Sequence, residues 1–377
     1  MNAKLKKSLC LFLLSLILFV FFASSMFASI TTTASASSAS SMIVMETSSN
    51  RILYQQNAYD RRFMASTTKI LTAITVIENT SLEDIVTITK PMVAIEGSSI
   101  YLEVGEKITV LDLLFGLMLR SGNDAATALA IHTSTSIQEF AKLMNETAQK
   151  IGAKSSNFVN PHGLHDNNHY TTAYDLSLIS SYALKNPTFA RLSATKTHTF
   201  ERDNKPYTFN NKNKILYTTD GGDGIKTGYT KKAGRCLVSS ATRNGMQVVC
   251  VVLNCGPMFE ESKALLNKAF KDYKLTELLP SYTYAGTLKV KNGKTEEIRT
   301  YTKMPVLYPM REGEQSSITK ITNCDELTAP IKRNQQVGSI KIYLHDNLLF
   351  EPKLYSIDSV KSLNILDNLK ELLDEWF

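Results

Sequence analysis

Three short motifs stand in order along the chain, each in a different local texture: Ser66-Thr67-Thr68-Lys69 heads a helical run, Ser121-Gly122-Asn123 lies between two helical runs, and Lys226-Thr227-Gly228 sits in a strand-like run. For these segments to act at one site, a helix start, an interhelical turn and a strand must meet. Helices and strands must therefore share one domain, and the order of helical and strand-like runs along the chain reads as α+β.

Ser66 and Lys69 are three residues apart at the start of a run to Asn79 with apolar residues at 70, 71, 74 and 77. That spacing is helical. Side chains at i and i+3 lie about 5 to 6 Å apart at Cβ, so the amine reaches the hydroxyl. A free serine is a weak nucleophile and needs such a partner. Lysine serves as the base only when its pKa falls well below its reference of about 10.4, which burial and a neighbouring cation such as Lys226 both promote. The amide of a residue at a helix start has no internal partner and is free to point at a developing oxyanion.

Single matches carry little weight. Ser193-Lys196 and Ser317-Lys320 repeat the first spacing, and Ser48-Asn50 and Ser155-Asn157 repeat the second, whereas K-T-G occurs once. Only one combination has both the order and the local contexts.

This trio resembles the signatures of the penicillin-binding and serine β-lactamase superfamily. The segments Met64–Ile70, Leu119–Ala125, Asn160-Pro161-His162-Gly163-Leu164 and Asp223–Thr230 are most similar to the low-molecular-mass D-alanyl-D-alanine carboxypeptidases, over about Ser41 to Tyr273 and more loosely beyond. The resemblance implies a β-lactamase/transpeptidase-like fold, an antiparallel sheet flanked by helices with a helical subdomain, and a serine acyl-enzyme. Ser66, deprotonated by Lys69, attacks the penultimate D-alanine carbonyl of a peptidoglycan stem peptide, and water later releases the acyl group. It further implies Ser121 as proton relay, Asn123 on the substrate backbone, Lys226 and Thr227 at the substrate carboxylate, and Gly228 as a side-chain-free edge. The amides of Ser66 and Tyr229 make the oxyanion hole. β-Lactam antibiotics are implied as covalent inhibitors, and neither cofactor nor metal is called for.

Lys4, Lys6 and Lys7 precede an apolar run from Leu9 to Phe22, followed by Ala34-Ser35-Ala36, so residues 1–36 read as a secretory signal peptide. The product is expected outside the cytoplasm, at the cell wall or the outer face of the membrane. Without the three leader lysines the formal charge of +7 becomes +4. Such a mildly basic surface suits an anionic wall, and no clustered basic stripe points to nucleic acid. Outside the leader stand Cys236, Cys250, Cys255 and Cys324 without a C-x-x-C pair, and Cys236 and Cys250 read as buried thiols.

The catalytic part is expected over 41–276. Met42 to Glu46 and Arg51 to Gln55 read as strands, Val110 to Leu119 as a buried helix, and Ser136 to Ile151 as a helix opened by a capping box and closed by Gly152. Gly224 to Thr230, Arg235 to Arg243 and Met246 to Asn254 read as a meander with Asn244-Gly245 as a two-residue turn, covered by a helix from Phe259 to Tyr273. A small β-sandwich-like domain is expected over 283–355. The apolar series Val360, Leu366, Leu369, Leu373 and Trp376 predicts an amphipathic helix over 357–377, for peripheral membrane contact or for packing on protein.

Relatives often carry an arginine for the substrate carboxylate after the third meander strand, where this chain has Cys255-Gly256-Pro257-Met258-Phe259-Glu260-Glu261. Lys226, Thr227 and Thr230 are left for that role. His162, His165, Asp166 and His169 offer a metal-binding alternative but lack H-E-x-x-H spacing. A β-lactamase and a non-catalytic penicillin sensor are the other readings. No glutamate-bearing deacylation loop follows residue 160, and a pure binder needs no Ser66–Lys69 pair.

Overall fold

The computed structural model describes residues 37–202 and 204–364. The expected leader over 1–36 lies outside the described residues.

Five antiparallel strands form the main sheet: β1 (Ser41–Glu46), β2 (Ile52–Gln56), β3 (Gly222–Thr230), β4 (Gly234–Arg243) and β5 (Met246–Leu253), in the order β2-β1-β5-β4-β3. The centre falls on β5 because its run Val248 to Leu253 is apolar at every position and fully buried. The expected meander is present, and Asn244 (φ 49°) and Gly245 (φ 78°) supply the two left-handed residues that a tight hairpin turn needs. This order leaves β3, the K-T-G strand, on the edge.

Helices cover both faces: α1 (Lys69–Asn79), α2 (Val110–Phe115), α3 (Asn123–Ser134), α4 (Ile137–Ile151), α5 (Ala173–Leu184), α6 (Pro187–Ala194) and α7 (Met258–Asp272). On one face α1 is buried from Lys69 to Val76, sharing a core with α3, α5 and the inner side of β1 and β5. On the other, α7 places Leu265, Leu266 and Ala269 against Val248, Cys250 and Val252. Ser136 caps α4 by accepting the Glu139 amide at 3.1 Å, and Gly152 (φ 97°) ends it. The reciprocal half of the expected box is not made, since the Glu139 carboxylate bonds Lys142 instead.

The run expected as one helix from Val110 to Leu119 changes character midway. After α2 comes a π turn, Gly116–Arg120, in which the Ser121 amide reaches back to the Gly116 carbonyl. Gly116 is the place for it, because a Cβ there would lie 2.8 Å from Ile100 Cδ1. The wider turn delivers Ser121 in the left-handed region, φ 66°.

Beyond α7 the chain is β-rich, as expected. Lys274–Leu279 pairs with Val306–Met310, and this ribbon shares a core with a seven-stranded sheet built between Tyr284 and Ser356. Arg51 fastens β2 to this region: its guanidinium lies 5.1 Å from the Tyr273 ring centroid and 4.8 Å from that of Tyr308, and bonds Glu314 at 2.6 Å.

The helix expected from Ile357 does not begin there. Val360 and Ile331 exchange backbone hydrogen bonds of 2.9 and 2.8 Å, and Val360 is buried in the β core. One apolar residue of the assumed helical series therefore belongs to a strand-like segment. The remainder of that series, over 365–377, lies outside the described residues. Among the described residues no helix is long and apolar enough to cross a membrane.

Asp124, in the first turn of α3, holds the loop before α2 in place. Its buried carboxylate accepts the amides of Ile100, Leu102 and Ala125 and the Ser99 hydroxyl. Asp124→Ala strands those buried donors, at about 1–3 kcal/mol each. Urea unfolding is expected to give a loss of at least ~3 kcal/mol, and Asp124→Asn a smaller one.

Candidate active site

The turn that carries Ser66 is a 3-10 segment, Ala65–Thr68, leading into α1. Ser66 and Lys69 thus straddle the junction of two helix types, and Lys69 Nζ lies 3.1 Å from Ser66 Oγ. Nζ has two further neighbours, Asn123 Oδ1 at 2.7 Å and the His162 carbonyl at 2.6 Å. Lys69 has no exposed surface. Burial first, and the Lys226 ammonium second, push its pKa well below the usual lysine value, with Asp124 opposing. A neutral amine has two N–H groups, which the two carbonyl oxygens accept. Its lone pair is then left for the Ser66 hydroxyl.

The second motif reaches this centre through Asn123, whose amide nitrogen also donates to the Glu96 carbonyl at 2.5 Å. Ser121 is buried two residues earlier, and its hydroxyl makes no hydrogen bond to either lysine among the described residues. The third motif closes the other side. A Cβ on Gly228 would lie 3.0 Å from both the Met64 carbonyl oxygen and the Ser66 nitrogen, so the β3 edge runs directly along the turn that carries Ser66. Lys226 is buried and donates to the Thr227 carbonyl at 3.1 Å, while the Tyr229 side chain is 65% exposed.

Burial, and then the charge of Lys212, push the Lys226 pKa down to about 7. Lys212 is itself lowered by burial and by Arg120. Sequence reading gave no role to Lys212, which no motif marks, or to Arg120, which adjoins Ser121; the fold brings Arg120 to bear on Lys212 and Lys212 on Lys226. They supply cationic charge in a chain that lacks the expected arginine. Of the residues expected at the carboxylate, Thr230 already accepts the Ala233 amide at 3.0 Å.

The histidine-rich loop braces the turn that carries Ser66. The Val159 amide donates to His169 Nδ1 at 3.1 Å, so Nε2 carries the proton and donates to Thr68 Oγ1 at 2.7 Å. Thr68 in turn donates to the Ala65 carbonyl at 2.8 Å, beside Ser66. His162 Nδ1 accepts the Leu164 amide, and Phe63 packs edge-on against His165. No group of three or more metal-ligating side chains is found among the described residues.

Comparison with known proteins follows this geometry. The family described as D-alanyl-D-alanine carboxypeptidase matches residues 28–256, and that described as penicillin-binding protein 5, C-terminal domain, matches 273–362. D-alanyl-D-alanine carboxypeptidase DacF of Bacillus subtilis is 31% identical over 342 residues, 88% of each chain. The D-alanyl-D-alanine carboxypeptidase of Streptomyces sp. strain K15 is 38% identical over 219 residues, covering 53% of this chain and 75% of its own. The crystal structure of penicillin binding protein 5 from Haemophilus influenzae superposes with a TM-score of 0.74 at 28% identity, over 88% of this chain and 99% of its own.

Two outcomes test the support described above. At Gly163 (φ 85°) a Cβ would lie 2.0 Å from the Ala65 carbonyl oxygen. Gly163→Ala must therefore push the turn that carries Ser66 aside, and at least a ~100-fold fall in the rate of acylation by a penicillin is expected. Separately, burial holds His162 down to about 3 and His169 down to about 4. Unfolded, both titrate near 6.5, so the unfolded chain binds more protons between about 6.5 and 4 and stability is lost as pH falls through that window. For His169 the loss is on the order of 3 kcal/mol. Unfolding measured from pH 7 to 4 is expected to show a shallower acid slope in His169→Gln.

Proposed function

The chain belongs to the D-alanyl-D-alanine carboxypeptidase family, and from that premise we propose that it removes the terminal D-alanine of peptidoglycan stem pentapeptides through an acyl-enzyme on Ser66. The observation that carries this reading is the buried Lys69 amine, with two carbonyl acceptors on its N–H groups and Ser66 Oγ at 3.1 Å.

In the proposed reaction Lys69 takes the Ser66 proton as Oγ attacks the carbonyl carbon of the penultimate D-alanine. The oxyanion is held by the amides of Ser66 and Tyr229, each such donor contributing about 100- to 1,000-fold in rate. The C–N bond breaks, the proton passes through Ser121 to the departing amine, and D-alanine leaves. Water then cleaves the Ser66 ester. Lys226 and Thr227, with Lys212 adding charge, receive the terminal carboxylate. Asn123 serves two partners, Lys69 through Oδ1 and the substrate backbone. Gly228 lets the substrate lie along the edge of β3 as an added strand.

In this reading the leader over 1–36 exports the chain, 41–276 performs the chemistry, and 283–355 forms a separate β-rich domain. The wall and its precursors are reached on the outer side of the cytoplasmic membrane. The apolar series Leu366, Leu369, Leu373 and Trp376 offers peripheral contact there. β-Lactams acylate Ser66 as substrate mimics.

The deciding experiment pairs intact-mass spectrometry of the protein with a penicillin and D-alanine release from diacetyl-L-Lys-D-Ala-D-Ala. A long-lived adduct on wild type, and loss of both adduct and D-alanine release in Ser66→Ala, are expected. Rapid loss of the adduct would mark a β-lactamase, an adduct without peptide turnover a sensor, and turnover without an adduct would sink the serine mechanism.

A further inference from the structure

Beyond Thr230 the edge of β3 runs into a cleft of about 610 Å³ that the mechanism above does not use. Its walls include Arg61, Phe63, Asn167, Asn168, Tyr170 and Lys232. All three sides come from segments that also build the catalytic centre. Phe63 is three residues before Ser66, and Lys232 is four after Gly228. Asn167 and Asn168 follow His162, whose carbonyl touches Lys69. The cleft therefore lies beside the segment that leads into Ser66 and the turn that follows β3.

Its chemistry is cationic and unneutralised. The Arg61 guanidinium lies over the Tyr170 ring, 4.6 Å from its centroid, which orients the planar group while leaving its N–H donors free. Neither Arg61 nor Lys232 has an ion-pair partner among the described residues. Asp60 pairs with Arg62 at 3.0 Å, and Asp166, which accepts the Asn168 amide at 2.7 Å, leaves one carboxylate against the two cations. Two cations and two carboxamides around one aromatic wall suit a carboxylate better than an apolar or cationic group.

Distance says which part of a substrate arrives. A strand advances about 3.3 Å per residue, so β3 ends roughly 7 Å beyond Gly228, at Thr230, and Lys232 stands in the turn that follows. A peptide with its terminal carboxylate near Lys226 and its scissile carbonyl at Ser66 runs antiparallel to β3, and its acyl side points into the cleft. The groups that arrive belong to the residues one and two positions before the scissile one. In a stem pentapeptide these are the diamino acid and the γ-linked glutamate.

We propose that this cleft is a carboxylate-binding subsite for the acyl side of the stem peptide, with Arg61 and Lys232 as specificity-determining residues. The proposal rests on the carboxypeptidase reading. Two carboxylates have the required chemistry, the α-carboxylate of the D-glutamate and the side-chain carboxylate of a diaminopimelate at the third position.

The test uses L-Ala-γ-D-Glu-L-Lys-D-Ala-D-Ala, its D-isoglutamine amide, and the D-isoglutamine peptide with meso-diaminopimelate in place of lysine. Affinity for each is measured by calorimetry on Ser66→Ala, and kcat/KM on the chain with Ser66 intact, both normalised to diacetyl-L-Lys-D-Ala-D-Ala. A free carboxylate is expected to improve binding and kcat/KM by about 10-fold through a charge-assisted contact. That ratio should fall towards 1 in Arg61→Gln/Lys232→Ala. Preference for the glutamate over the isoglutamine peptide assigns the first carboxylate, and preference for the diaminopimelate peptide the second. Equal binding of all three, or a preference that survives the double substitution, overturns the subsite. Carboxylate-dependent binding without turnover upholds the subsite while removing the carboxypeptidase reading.

Discussion

The site depends on keeping one amine uncharged where water cannot reach it. Ionised, Lys69 would carry a desolvation cost of several kcal/mol, so the interior favours the neutral form. That form is directional, with two donors and one lone pair, and the fold addresses each of them. One acceptor comes from the start of α3 and the other from the loop before Tyr170. Asn123 is in turn pinned through its side chain to Glu96 and through its backbone amide to Ser98. A protonation state is thereby converted into an orientation.

Backbone strain marks the same three places. Ala65, Ser121 and Ile225 have φ of 49°, 66° and 95°, all in the region that side chains disfavour. Each costs roughly 1–3 kcal/mol, most for β-branched Ile225, and each stands at or immediately before a motif. Such conformations persist only where the surroundings impose them. Around Ala65 the imposing groups are Gly163, which makes room for its carbonyl, and Thr68, which bonds it. Around Ile225 they are Gly224, close against Ser193, and a register shift in β3 that lets the chain bend before Lys226. The motifs are short because the residues that bend the backbone lie in the packing around them.

Most of the fold could be read from the sequence because most of it is carried by local signals. Alternation and apolar runs located the main sheet, Asn244-Gly245 fixed one register, and Ser136 and Gly152 bounded α4. The motif residues were legible for the same reason, since their spacing already implies the helix and the strand on which they sit. What escaped had non-local causes. The π turn at 116–120 arises where Ile100, sixteen residues away, leaves no room for a side chain at Gly116. Val360 pairs with Ile331 instead of starting a helix, because a partner strand outweighs a weak apolar periodicity. Lys212 acquires its importance only from standing beside Lys226.

The two buried lysines also explain how the proposed site tolerates an anionic substrate without losing its base. Both are depressed, by burial first in each case; the second cause is the charge of Lys226 at Lys69 and the charge of Lys212 at Lys226. With a pKa of about 7, free Lys226 is only half protonated near neutrality. A carboxylate bound beside it favours the charged form and raises that pKa, so binding itself recruits the cation. The same carboxylate cancels much of the field that Lys226 projects onto Lys69. The base survives the cancellation because its largest cause of depression is burial, which substrate binding deepens by excluding water. Burial thus favours the neutral amine at Lys69 whether or not substrate is bound, while the charge on Lys226 responds to the carboxylate beside it, as the proposed reaction requires.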